Sequence, residues 1–228
     1  MRAAADLGPA LRRVLPALAT AILAVLATWS AGGTAPRIWR VDVAQSRLVV
    51  HVFRKGLLSP VLHDHHFVPE RWSAAVTFDP DRPHQAEVQV TVAADSLRDR
   101  QPQLSPSDIQ TVEGQARGPK VLDADRYPAI RFTADHLEIP PSAAGAASAE
   151  GVLAGVLDLH GRTQAVRVPI RVRWTGDSLD AEGEVSFMQS DFGIEPYHAL
   201  LGAIAVQDRV SVEYAIRARA ESPTKERP

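Results

Sequence analysis

Cysteine is absent from the 228 residues. That removes disulfides, thiolate nucleophiles, iron–sulfur ligation and cysteine-bound zinc in one step. Any metal would have to sit on His, Asp or Glu. An excess of either charge is missing too: Lys and Arg total 25 against 27 Asp and Glu, a net charge of −2. Phosphate neutralisation needs a basic surface, so this balance gives no reason to expect nucleic acid as a partner. Aromatic residues make up only 6% of the chain, and amphipathic helical patterns are scarce. What remains is ordinary for a globular protein, 45% hydrophobic and 23% charged. The length suits one domain with additions, or two, and is enough to bury a real core.

The N-terminus reads as a targeting segment. Arg2, Arg12 and Arg13 face a single acid, Asp6, and Val14–Trp29 then carries no charge. Those sixteen residues are short of the roughly 20 that a spanning helix needs. A basic start, a short apolar centre and small residues after it describe a secretory signal peptide. Residues 1–31 are therefore expected to be a signal peptide, with an uncleaved N-terminal anchor as the other reading. Removing them leaves a net charge of −4. Both readings put residues 36–220 outside the cytoplasm, periplasmic or secreted. No cysteine follows the apolar run, which argues against a lipoprotein anchor.

The body alternates with period two, the pattern of strands with one apolar and one wet face. Val166, Val168, Ile170, Val172 and Trp174 share a face, with Arg167, Arg171 and Arg173 opposite. Val210, Val212, Tyr214 and Ile216 alternate in the same way. Further segments are Trp39/Val41/Val43, Leu48–Phe53, Ala74/Val76/Phe78, Glu87–Val92, Ile130/Phe132, Leu153/Leu157/Leu159 and Val185/Phe187. About nine such segments with turn signals between them predict an all-β antiparallel barrel, which gathers the apolar faces and removes open edges. One short surface helix is expected near Pro106–Ala116, with Ser105 as N-cap and Pro106 at its first position. Pro140–Gly151 reads as a small-residue loop between strands, and residues 221–228 as a frayed tail. For Leu48–Phe53 the pattern leaves open which face points inward, because both are apolar.

A small barrel is either filled by its own side chains or holds one ligand. The inward faces are rich in Val and Ala. Short side chains leave room for an elongated apolar slot suited to a hydrocarbon chain, whose burial contributes about 0.8 kcal/mol per CH₂. The competing reading is that the valines pack against one another.

Five segments then match a known pattern in order. Gly155-Val-Leu157-Asp-Leu-His-Gly161-Arg-Thr163-Gln-Ala-Val166-Arg-Val168 resembles the G-x-L-x-x-x-G-x-T-x-x-V-x-L segment of the YceI-like family of polyisoprenoid-binding proteins. Trp39-Arg-Val41-Asp42-Val-Ala-Gln-Ser46, Val76-Thr-Phe78-Asp79-Pro80, Tyr127-Pro128-Ala-Ile130-Arg-Phe132 and Asp191-Phe192-Gly193-Ile194 resemble that family's other motifs. The resemblance covers about residues 38–218. It implies a lipocalin-like antiparallel barrel of about eight strands, secreted or periplasmic, whose cavity takes an isoprenoid tail such as a quinone or polyprenyl chain. Asp191-Phe192-Gly193 is no kinase signature, since no Gly-rich loop or catalytic loop surrounds it. One departure stands out. The segment after the second strand carries His63-Asp64-His65-His66, which resembles a divergent subset with a G-H-D-H motif, here with Leu62 in place of the glycine.

On an extended segment His63 and His65 point the same way, about 6–7 Å apart at Cα. Two imidazoles at that spacing suit a divalent ion such as Zn²⁺, Cu²⁺ or Ni²⁺, with His51 or His198 as a third ligand if the fold brings one near. Contact with a ligand's polar head group and a plain structural role are the other readings, and a neutral imidazole offers one donor toward a quinone carbonyl. Ser190, Asp191 and His198 include triad residue types, but no G-x-S-x-G elbow accompanies them. The expected function is thus an exported, non-enzymatic carrier or sequestering protein for an amphiphile with a long apolar chain. Val50, Val90, Phe132, Val168 and Val212 would line the slot, Tyr197 would sit at its rim, and His63 and His65 would lie near one mouth. Membrane association would come only through an uncleaved N-terminal segment. The alternatives are a metal-binding exported protein or metalloenzyme using His63 and His65, and an empty interaction barrel.

Overall fold

The computed structural model describes residues 37–58, 63–140, 147–199, 201 and 203–221. The segment read as a signal peptide, the tail beyond residue 221 and residues 141–146 of the small-residue loop lie outside these.

The alternating segments form β1 (Arg37–Val41), β2 (Arg47–Lys55), β3 (His65–Pro69), β4 (Trp72–Phe78), β5 (Ala86–Ala93), β6 (Leu97–Asp99), β7 (Ala129–Glu138), β8 (Ser148–Leu159), β9 (Arg162–Thr175), β10 (Ser178–Met188), β11 (His198–Ala199) and β12 (Ile204–Ala220). Every pairing between them is antiparallel. Eight strands close a ring in the order β1, β4, β5, β7, β8, β9, β10, β12 and back to β1. This is the expected all-β barrel. Closure falls to β12, which is long enough to pair β2 over Ala205–Ala215 and then β1 over Ala218–Ala220. Beyond that ring the sheet continues through β2, β3 and β6. β2, β3 and β6 are separated from β1, β4 and β5 by short breaks in the chain, so three sequence segments each serve two places in the wall.

The break after β1 corrects one expectation. Val43 does not extend the strand but lies exposed in a 3₁₀ turn, Val43–Gln45. Asp42 ends the strand because its Oδ1 takes the Gln45 N–H at 3.1 Å. The Ser46 hydroxyl donates to the Asp42 carbonyl at 2.6 Å and accepts the Arg217 N–H at 3.0 Å. The Asp and Ser of the first motif thus clip the turn to β12. A second correction concerns Ser148–Gly151, which belongs to β8 rather than to the preceding loop.

Helix α1 (Pro106–Arg117) starts where expected, with the Ser105 hydroxyl accepting the Asp108 N–H. It packs against β6, and Glu113 on it accepts the Asp99 N–H at 3.1 Å.

Two buried clusters mark the ends of the barrel. One centres on Trp39, Phe78, Leu137, Trp174 and Leu179. Trp39 is almost wholly buried and its Nε1–H donates to the Phe78 carbonyl at 2.9 Å, while Phe78 meets Trp174 edge to face at 5.2 Å. This cluster is a floor. The other gathers Phe67, Leu97, Leu122, Leu159, Phe192 and Ile194, with Val112 and Ala116 of α1 packed on it.

Candidate functional site

Between floor and helix lies a cavity of about 820 Å³. Its walls follow from strand alternation. On β5, Ala86, Val88, Val90 and Val92 face it; on β9, Val166, Val168, Ile170 and Val172 do. These are short side chains, and a ring of eight strands leaves space between them that longer ones would fill. For β2 the question that the sequence leaves open is resolved: Leu48, Val50 and Val52 line the cavity, and His51 takes the other face. There it pairs with Glu213 at 3.4 Å and meets the His66 ring edge-on at 5.0 Å.

Val50, Val90, Phe132, Val168, Val212 and Tyr197 all line the cavity, as do His63 and His65. Most polar liners gather at the end away from Trp39: Arg54, His63 and His65 from the β2–β3 side, Asp108, Thr111 and Gln115 from α1, and Tyr197 before β11. The Gln115 amide donates to the Tyr197 hydroxyl at 3.4 Å, so helix and rim loop touch. The helix is therefore more than a surface feature, since one side of it roofs the lumen.

His65 is the most tightly held polar group there. Its Nδ1 lies 2.6 Å from Asp99 Oδ2, and the Asp99 side chain is fully buried. Asp99 Oδ1 accepts backbone N–H groups from Gln101 at 3.1 Å and His66 at 3.4 Å. Burial alone would push the Asp99 carboxyl up. The hydrogen bond from His65, its attraction whenever the ring is protonated, and those two backbone donors outweigh burial and hold it below the usual carboxylate range. Asp64 does what its type predicts in a loop, taking the Arg54 N–H at 2.8 Å.

The structure does not bring His51 or His198 into a ligand set. His51 is on the opposite face of β2, and His198 Nδ1 lies 3.3 Å from the Pro196 carbonyl. Among the described residues no three His, Asp or Glu side chains come together in a way that could hold a metal ion. Nor does a triad form. The Ser190 hydroxyl donates to Asp208 Oδ2 at 2.6 Å, and Asp208 Oδ1 accepts the Ser190 N–H at 2.8 Å.

Three further groups line or support the cavity. Asp99 ends a three-residue strand without alternation. Tyr214 lines the lumen and donates to the Pro169 carbonyl at 2.6 Å. This is possible because the β9–β10 ladder ends at Arg171–Glu182 and Gly183 beside it has no side chain to block the ring. Burial pushes the Tyr214 phenol up. The inner side of α1 could have been found from the i, i+4 spacing of Val112 and Ala116.

The model of the YceI-like domain matches residues 39–218. The chain belongs to that family. Solved structures agree with the fold. BcnA of Burkholderia cenocepacia superposes with a TM-score of 0.59 at 21% identity, covering 78% of this chain and 98% of its own. A polyisoprenoid-binding domain from Saccharophagus degradans, implicated in plant cell wall breakdown, gives 0.58 at 13% identity, covering 82% and 100%. The YceI protein of Campylobacter jejuni gives 0.52 at 15% identity, covering 68% and 84%. A sequence comparison with curated proteins finds no match. In this YceI-like chain the family motifs meet in space: the ring of Tyr127 lies on Gly161, whose φ is +70°, and His160 meets that ring edge-on at 5.0 Å.

Proposed function

We propose that this YceI-like protein is a non-enzymatic carrier or sequestering protein for an amphiphile with a long apolar chain, an isoprenoid or a quinone tail. The observation that carries the reading is the apolar cavity of about 820 Å³ enclosed by the strand wall. That volume lies in the range of small-molecule sites. Each five-carbon isoprene unit entering it would contribute up to about 4 kcal/mol, at about 0.8 kcal/mol per CH₂, offset by the ordering of the chain. The binding named for the Saccharophagus degradans domain supports the same reading. Val50, Val90, Phe132, Val168 and Val212 contact the chain, and Tyr197 sits at the mouth with His63 and His65 toward the head group. Residues 1–31 direct export, so that the barrel works in the periplasm or outside the cell. The His63–His66 segment resembles that of a divergent subset of the family.

Native mass spectrometry of the protein purified from its host tests this. A lipid-sized adduct that organic extraction removes is the expected result. An empty barrel that also fails to take up a long-chain isoprenoid overturns it. Metal analysis runs alongside: near one equivalent of zinc, lost in the His63→Ala, His65→Ala double variant, would establish the metal-binding alternative.

A further inference from the structure

Asp99 fixes more than the position of His65. An ionised carboxylate only accepts hydrogen bonds, and Asp99 Oδ1 already holds two backbone N–H groups. The 2.6 Å contact from Oδ2 to His65 Nδ1 then requires the ring to donate there. A neutral imidazole has one N–H, so committing it at Nδ1 leaves Nε2 as a lone pair. Nε2 has no hydrogen-bond partner among the described residues. No side-chain nitrogen or oxygen among them is both buried and unpartnered, so Nε2 is open, and His65 lines the cavity. Its place is held from both sides. Val52 of β2 pairs with His65 in register, and Glu113 of α1 ties down the backbone N–H of Asp99.

We infer that His65, oriented by Asp99, accepts a hydrogen bond from the head group of the bound chain, so that the cavity takes a hydroxyl-terminated amphiphile in preference to its ether or carbonyl counterpart. The inference rests on the carrier reading and narrows it. A hydroxyl donates to Nε2. A quinone or aldehyde carbonyl and an ether have no proton to give, and set an oxygen lone pair against a nitrogen lone pair. The expectation from residue type alone, that the histidine donates to a quinone carbonyl, is thereby reversed for the neutral ring.

The test uses three probes with the same twenty-carbon isoprenoid chain: the alcohol, its methyl ether and its aldehyde. Each is titrated into the full chain at about pH 8.5, since alkaline buffer favours the neutral ring, with the fluorescence of Trp72 in the cavity wall as readout. The alcohol is expected to bind about five- to ten-fold more tightly than the other two, the size of one net hydrogen bond. In His65→Phe the three should bind alike. In Asp99→Asn the amide oxygen keeps both backbone donors while its NH₂ group faces Nδ1. The ring proton moves to Nε2, and the aldehyde should bind at least as well as the alcohol. Equal binding of all three probes to the unaltered protein overturns the inference and leaves the carrier standing. Failure of every probe to bind overturns the carrier reading and the inference with it. Should Asp99→Asn not fold, the alcohol-to-ether ratio in His65→Phe decides: a ratio unchanged from the unaltered protein also overturns the inference.

Discussion

The two oxygens of Asp99 divide their work between the backbone of the β3–β6 edge and the ring of His65. Replacing it with alanine strips three donors of their acceptor at a fully buried position. Each buried donor left unsatisfied costs about 1–3 kcal/mol, so Asp99→Ala should lose about 3 kcal/mol or more in urea unfolding at pH 7. The sign of its pH dependence follows from the depressed carboxyl. An unfolded aspartate titrates near 3.9 and the folded one lower. Its contribution is therefore complete above the unfolded value and is lost as pH falls through the folded one. The gap between Asp99→Ala and the unaltered protein should close in acid, below about pH 4. A gap that stays constant from pH 7 to pH 2.5 would show that Asp99 is not stabilised as the anion. Glycine offers a second residue-scale test. Gly161 and Gly176 both have positive φ, +70° and +58°, but only Gly161 has a ring against the position of its missing Cβ. Gly176→Ala should cost about 1–2 kcal/mol, the left-handed backbone penalty. Gly161→Ala should cost about 1–3 kcal/mol beyond that, from collision with Tyr127. Equal losses in thermal unfolding would mean that Tyr127 swings away without cost.

At the scale of elements, α1 is set by a cap and held by a face. Ser105→Ala removes the side-chain acceptor for the Asp108 N–H and should destabilise by about 1 kcal/mol. Because the helix roofs the cavity, its amides should also exchange faster in that variant. Unchanged exchange across residues 107–116 would show that packing, not the cap, sets the helix. The start of α1 was readable because Ser105-Pro106 is a local signal. Its inner side is only faintly marked, by the i, i+4 pair Val112 and Ala116, with Ile109 as the other large apolar residue of the helix. β9 and β12 were legible from their alternation, which survives because one face meets the lumen and the other meets water. β3 and β6 were not. They are short, and what makes His65–Pro69 a strand is pairing with β2 and β6 on either side, a long-range fact that no window of sequence contains. Residue type marks the histidine cluster, but the partner of His65, Asp99, lies 34 residues away, at a distance that only the folded sheet closes. The same holds for the two faces of β2, which look alike in sequence and differ only in what they meet.

For the whole molecule, the decisive property is that the lumen is roomy while the floor is packed. These two regions should respond in opposite ways to added volume. In a close-packed core an enlarged side chain forces strain worth about 1–3 kcal/mol; in an open lumen it occupies space that was already there. Ala218 is buried in the floor cluster and does not line the cavity, so Ala218→Phe should destabilise by that amount or more and leave the lumen untouched. Val90 faces the cavity at mid-strand on β5, paired with Phe132 across β7. Val90→Phe should change stability by less than about 1 kcal/mol, because new apolar contacts replace empty space. It should also weaken uptake of a long isoprenoid chain by about ten-fold or more, the equivalent of losing two buried CH₂ groups. Chemical denaturation and ligand titration on the two variants separate the outcomes. If Val90→Phe proves as costly to folding as Ala218→Phe, the valines are packed against one another and the barrel has no room for a guest.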